Sequence, residues 1–211
     1  MGCCEAVNVA PKTRSLSAIE LGWLLPLGGP PVAEAAPGLY VVRVSDAATS
    51  RALIARAEAA PWQPATINAE LAVEPSVRFA DVLDERAAVA LTEECRERLF
   101  RATRGLASTL APSSVPAEIQ VVRYAAGGRY ADHRDSPGDD ATPRRLSVVW
   151  YLNDDFTGGE TCFHEPDVCV EPLGGVAIVF LPLLLHRAEP VISGTKYAIT
   201  AWYHAVPGRV R

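Results

Sequence analysis

The stretch RYAAGGRYADHRD, Arg123 to Asp135, decides how the rest of the chain is read. His133 and Asp135 stand two residues apart, and on a β-strand that spacing puts both side chains on one face. An imidazole and a carboxylate are two of the three groups needed to hold a metal from one side. His186, at the end of the apolar run Ala177 to Leu185, offers the third. Two histidines and one carboxylate suit non-haem Fe(II) and leave the opposite coordination positions open. His-x-Asp alone is a weak signal, because a surface strand can carry such a pair outward by chance.

Its surroundings strengthen it. Tyr124, Gly127 and Tyr130 lead into His133 as Tyr…Gly…Tyr-x-x-His-x-Asp. Ten residues after His186 comes Lys196, followed by the apolar strand Tyr197-Ala198-Ile199-Thr200-Ala201-Trp202. A lysine in such a strand needs an anion if it points inward. If it points outward it only faces solvent, and the residues alone leave both orientations open. Alone, His186 is more often a satisfied structural histidine. Trp150 and Trp202 read as core, and His164 and His204 as structural.

The totals narrow the classes. A chain of 211 residues with 49% hydrophobic and 21% charged residues can build one sizeable core. The net charge of −5 argues against a nucleic-acid partner, since phosphate binding rests on clustered Lys and Arg. Arginines 123, 129, 134, 144 and 145 do gather near the motif, but Glu118, Asp132, Asp135, Asp139 and Asp140 share the window. Five cysteines, two of them adjacent at Cys3 and Cys4, do not resemble a disulfide framework and predict a reducing, cytoplasmic setting. Cys162 and Cys169 are expected to be two small buried hydrophobes, although a hairpin would bring them face to face. No apolar run approaches the ~20 residues of a membrane span, and no membrane partner is expected.

Taken in order, residues 1–37 are rich in Pro, Gly and Ala and read as a flexible N-terminal arm, broken at Gly28-Gly29-Pro30-Pro31. Within it, Ser17 to Leu25 is compatible with a helical turn or a strand packed on the domain. Gly38 to Val44 reads as a strand, and Ala47 to Ala60 as a helix capped by Ser45-Asp46 and ended by Pro61. Trp62 to Glu70 reads as extended. A second helix is expected from Asp84 to Leu106, with Ala88, Leu91, Cys95, Leu99 and Phe100 as its apolar stripe. From Ala117 the pattern changes to eight short strands, at 117–124, 129–134, 145–152, 160–164, 168–171, 175–180, 185–191 and 196–204. The fold class is α+β: a double-stranded β-helix, or jelly roll, with flanking N-terminal helices and a single domain over 38–206.

Three ordered motifs, from about Leu39 to Ala205, resemble the 2-oxoglutarate- and Fe(II)-dependent oxygenases of the prolyl 4-hydroxylase type. RYAAGGRYADHRD is similar to their first metal-ligand strand, VVWYLNDDFTGGETCF to their Tyr-Leu-Asn…Gly-Gly-Glu-Thr hairpin, and LLLHRAEPVISGTKYAITAWY to their last His…Lys/Arg strand pair. The resemblance implies His133, Asp135 and His186 as iron ligands. It implies that Lys196 and Tyr151 bind the distal carboxylate of 2-oxoglutarate, that Tyr124 and Tyr130 line its pocket, and that Thr200 sits beside Lys196. Arg144 holds the place of an arginine near the substrate mouth in some members. Fe(II), 2-oxoglutarate and O2 are the implied cofactors, with ascorbate as a reductant. Ser136 to Pro143 has no fixed role in the family, and loops so placed commonly shape substrate choice.

The expected activity is hydroxylation of an unactivated C–H in a peptidyl or free amino acid, or a related small metabolite, with release of succinate and CO2. Val148, Val149, Ile178 and Phe180 suit a dry barrel interior around that chemistry. Desaturation or epoxidation with the same fold and cofactors is the alternative, since radical fate depends on how a substrate is placed. A halogenase of this fold wants a small residue where Asp135 stands. A non-catalytic binding protein would be expected to have lost a ligand or Lys196.

Overall fold

The computed structural model describes residues 13–25, 32–67, 73–136 and 144–205. The chain opens with β1 (Arg14–Leu16), α1 (Ala18–Leu24), β2 (Val32–Ala36) and β3 (Leu39–Arg43). Then come α2 (Ala47–Glu58), β4 (Trp62–Pro64), β5 (Arg78–Phe79), β6 (Asp81–Leu83) and the long α3 (Val89–Leu110). β7 (Ser114–Tyr124), β8 (Arg129–His133), β9 (Arg144–Tyr151), β10 (Thr157–Gly158) and β11 (Thr161–Phe163) follow. The last are β12 (Val168–Val170), β13 (Val176–Phe180), β14 (His186–Ala188), β15 (Val191–Ser193) and β16 (Lys196–Ala205).

These strands form an eight-stranded sheet, β2-β3-β13-β9-β16-β7-β6-β4, and a six-stranded sheet, β1-β12-β11-β14-β8-β5, with β10 and β15 paired apart. The fold is the expected α+β double-stranded β-helix. Strand alternation in β16 explains how the two sides of the large sheet differ. Tyr197, Ile199, Ala201 and Tyr203 face the helices, where they join Leu53, Leu91, Cys95 and Leu99 in one core. Lys196, Ala198, Thr200 and Trp202 face the other way, into a cleft between the sheets. Beside that cleft a second core binds the sheets together, with Leu39, Val41, Tyr151, Ile178 and Phe180 meeting Phe163, Val168 and Val170. The helices are therefore a buttress, and the cleft lies on the far face.

Local chemistry sets the helix boundaries. Asp46 caps α2, accepting from the Thr49 N–H at 2.7 Å. α3 starts five residues later than the apolar pattern predicts, because Asp84 closes a turn instead: its carbonyl accepts from Ala87 and its carboxylate from Arg86. The helix then runs past the predicted end, to Leu110.

Two expectations are corrected. The described part of the N-terminal segment is not a flexible arm: β1 pairs in parallel with β12, β2 pairs with β3, and Leu16, Leu21 and Leu25 are buried. Ser17 and Glu20 form a reciprocal capping box that starts α1, so of the two forms expected for Ser17 to Leu25 the helical one is found. The remainder of that segment, including Cys3, Cys4 and Gly28 to Pro31, lies outside the described residues. The second correction concerns Cys162 and Cys169, which are joined in a disulfide. They occupy directly opposite positions of β11 and β12, where cross-strand side chains meet. Cys95 is free and buried in the helix-side core, and burial pushes its thiol up to about 12. No helix among the described residues is long and apolar enough to cross a membrane.

Candidate active site

β8 and β14 lie side by side, with His133 and His186 as register partners. Asp135 is not on the strand, which ends at His133, so the shared-face argument from His-x-Asp does not apply as expected. A bend after His133 turns the carboxylate inward, and Arg144 Nη1 holds that bend by donating to the Asp135 carbonyl at 3.0 Å. Ligand atoms of His133, Asp135 and His186 all fall within 4.8 Å of one another. His133 Nε2 is 3.6 Å from Asp135 Oδ1 and His186 Nε2 is 3.8 Å from Oδ2. Tyr130 stacks on His133 with centroids 3.6 Å apart, while Phe163 and Phe180 pack against His186.

The hydrogen bonds decide what this cluster can hold. His133 Nδ1 lies 2.8 Å from the Ala131 carbonyl and His186 Nδ1 lies 2.9 Å from the Leu184 carbonyl. A carbonyl only accepts, so each Nδ1 carries a hydrogen, and in the neutral form of either ring Nε2 presents a lone pair. Burial, then the neighbouring His186, push His133 down to about 4, against the pull of Asp135, so it is neutral at pH 7. Two lone pairs and a carboxylate thus converge with no donor between them. A divalent cation fits that arrangement, and backbone carbonyls orienting both imidazoles supply the outer shell such sites need.

At the other end of the cleft lies Lys196, which points inward. It is 2% exposed, its Nζ donates to the Gly159 carbonyl at 2.6 Å, and the rings of Tyr124 and Tyr151 lie 5.3 and 5.2 Å away. Burial pulls its ammonium down to about 7, with Glu160 opposing. Thr200, also lining the cleft, has a buried hydroxyl with no hydrogen-bond partner among the described residues. A lysine with no bonded counter-ion among the described residues and an orphan hydroxyl together suit a carboxylate. Tyr151 stands one step back: it does not line the cleft, and its hydroxyl donates at 2.8 Å to Thr161, which does. Gly159 makes room, since its φ is +72° and a Cβ there would meet Lys196 Cδ at 3.2 Å.

The other expected residues are distributed unevenly. Tyr124 and Tyr130 line the cleft, as do Val148 and Val149, whereas Ile178 and Phe180 belong to the inter-sheet core. Arg144 does not line it: the guanidinium is bonded to Glu118 and lies 4.1 Å from the Trp202 ring. Trp202, expected in the core, lines the cleft. His164 binds Asp132 at 2.8 Å, outside the metal cluster. Arg78 and Arg187 line the cleft too, and the sequence gives no sign of either. Of the loop Ser136 to Pro143, all but Ser136 lies outside the described residues.

Residues 119–204 match the family model described as the 2OG-Fe(II) oxygenase superfamily, a span that contains all three clustered ligands and Lys196. Over that span the chain carries a 2OG-Fe(II) oxygenase domain, and its relatives include prolyl 4-hydroxylases. A PKHD-type hydroxylase of Delftia acidovorans is 29% identical over 160 residues, covering 71% of this chain and 70% of the relative. A putative prolyl 4-hydroxylase of Acanthamoeba polyphaga mimivirus is 33% identical over 106 residues, 41% of this chain and 44% of the relative. The match therefore spans less than half the mimivirus protein. Among solved structures, the viral collagen prolyl hydroxylase of Paramecium bursaria Chlorella virus-1 superposes with a TM-score of 0.61 at 23% identity, over 80% of this chain and 97% of that one. At that identity the likeness establishes the fold. Oxygenases of this family use Fe(II), 2-oxoglutarate and O2, and the donor sets at the two ends of the cleft fit the first two.

Proposed function

We propose that this oxygenase hydroxylates an unactivated C–H of a peptidyl or free amino acid, or a related small metabolite, and releases succinate and CO2. The observation that carries the reading is one cleft with His133, Asp135 and His186 clustered at one end and at the other a buried Lys196 that has no carboxylate partner among the described residues. The relatives' names, PKHD-type hydroxylase and prolyl 4-hydroxylase, support the reaction type.

In this reading His133, Asp135 and His186 hold Fe(II), which with 2-oxoglutarate and O2 supplies the oxidising chemistry that breaks the C–H bond. The protein's own contribution is orientation and shielding. Lys196 and the Thr200 hydroxyl bind the far carboxylate of 2-oxoglutarate by charge-assisted and neutral hydrogen bonds. Tyr151 fixes Thr161 beside them, and Tyr124 and Tyr130 close the sides of the cleft. Val148, Val149 and Ala198 keep the floor apolar, so water is excluded from the reacting centre. The test is Fe(II) and 2-oxoglutarate binding without oxygen, followed by a screen of proline peptides, free amino acids and host extracts for substrate-stimulated succinate. Failure of 2-oxoglutarate to bind the iron-loaded protein would overturn the reading.

A further inference from the structure

Arg78 has no role in the account above, and its surroundings are not those of a structural arginine. It is buried, 6% exposed, and lines the same cleft as the metal triad. Nη1 donates to the Thr66 carbonyl at 3.1 Å and Nη2 to Gln120 Oε1 at 3.2 Å, and the guanidinium also reaches the Tyr124 hydroxyl; all three partners are neutral. Its Nε is buried with no hydrogen-bond partner among the described residues. Arg123, Arg144 and Arg187 are all more exposed, yet each holds a carboxylate. The buried arginine of the cleft is the one without an acid among the described residues. A guanidinium keeps its charge wherever it is placed, so burying it without an anion costs free energy that an incoming anion recovers.

Its position says which anion. Arg78 pairs with Tyr130 across β5 and β8, and its guanidinium carbon is 4.9 Å from the Tyr130 ring centroid. Tyr130 in turn stacks on His133. Arg78 therefore stands one aromatic ring away from the metal end of the cleft. Resting on the proposed function, both carboxylates of 2-oxoglutarate already have partners, one at the metal and one at Lys196. A third anion-binding group is left for the substrate. We infer that Arg78 binds a carboxylate of the substrate itself, so that the preferred substrate is a free amino acid or the C-terminal residue of a peptide, not an internal residue.

The experiment uses Mn(II)-loaded protein, saturated with 2-oxoglutarate and kept from oxygen, titrated calorimetrically with matched acids and amides. The probes are free amino acids, their carboxamides, glycyl dipeptides ending in a carboxylate, and the same dipeptides amidated. The expected result is that at least one acid binds and its amide binds roughly ten- to a hundredfold more weakly, the worth of a charge-assisted hydrogen bond. Whether the best acid is free or a dipeptide separates the two sources of the carboxylate. Arg78→Gln should erase the acid-over-amide preference and Arg78→Lys should retain part of it, which a merely structural arginine would not do. The inference is overturned if no acid binds, if acids bind no better than amides, or if Arg78→Gln weakens 2-oxoglutarate as much as the acid. Failure of 2-oxoglutarate to bind the wild type removes the underlying reading instead, and the same titration run without it still decides the role of Arg78.

Discussion

Lys196 concentrates the conflict between stability and activity into one side chain. Its folded-state pKa of about 7 lies below the ordinary lysine value of 10.5, because burial penalises the ammonium. The unfolded chain then holds more protons than the folded one between those values, so this group favours folding more as pH rises through 7. The full penalty of burying the charge is present below pH 7. Lys196→Met should accordingly raise the melting temperature of the ligand-free protein at pH 6, read by thermal unfolding. The same variant should weaken 2-oxoglutarate by roughly ten- to a hundredfold, since a charge-assisted bond is lost. On the proposed function the charged form of Lys196 is the one that binds, so affinity for 2-oxoglutarate should fall about tenfold per pH unit above 7. A flat pH profile between 7 and 9 would show that Lys196 does not contact the co-substrate. Lys196 was legible because a lone lysine interrupts an apolar strand at a fixed distance from His186. Arg78 was not, because its burial arises from edge-strand pairing of a two-residue strand with β8, which no local pattern announces.

At the scale of elements, legibility followed length and periodicity. The ten-residue β16 and the twelve-residue α2 have enough repeats for their faces to be read. β1, β4, β5 and β14 have three residues or fewer, too few for any period, and they form through long-range partners. The disulfide was half legible: a hairpin could bring Cys162 and Cys169 face to face, but composition suggests free thiols, and it is the β11–β12 register that puts the two directly opposite. The helix–sheet core tests whether the buttress supports the site at a distance. Leu99 is fully buried between α3 and the large sheet, so Leu99→Ala should cost about 2–5 kcal/mol. Because His133 and His186 lie on the other sheet and Asp135 just beyond β8, Mn(II) affinity of the folded variant should stay close to wild type. A matched loss of metal affinity in the still-folded variant would mean that the two sheets move together. His133→Ala or His186→Ala makes the complementary test: succinate formation should vanish, because two remaining ligands no longer fix one face of the metal.

For the whole molecule, the small sheet is the part that needs fastening. The large sheet is buttressed by α2 and α3, whereas the small sheet carries the two histidines on β8 and β14 and is tied to the rest by the inter-sheet core. The Cys162–Cys169 disulfide lies in that sheet, with Cys162 opposite Arg187 and Phe163 opposite His186. It closes a short loop, with a sequence separation of 7, so the chain-entropy account gives roughly 2–2.5 kcal/mol. Replacing both cysteines by alanine should therefore lower the melting temperature by several degrees, at about 2–4 °C per kcal/mol for a chain of this size. Metal binding follows from a different cause, because the imidazoles are oriented by the Ala131 and Leu184 carbonyls and not by the disulfide. The double variant should thus unfold earlier yet bind Mn(II) with nearly the wild-type affinity, and added metal should raise both melting temperatures by similar amounts. The comparison is thermal unfolding with and without Mn(II), alongside thiol labelling of the unreduced wild type to confirm that the pair is oxidised. An unchanged melting temperature would mean that the bridge adds nothing to the fold, and a lost metal response would mean that β11 positions His186 through the bridge after all.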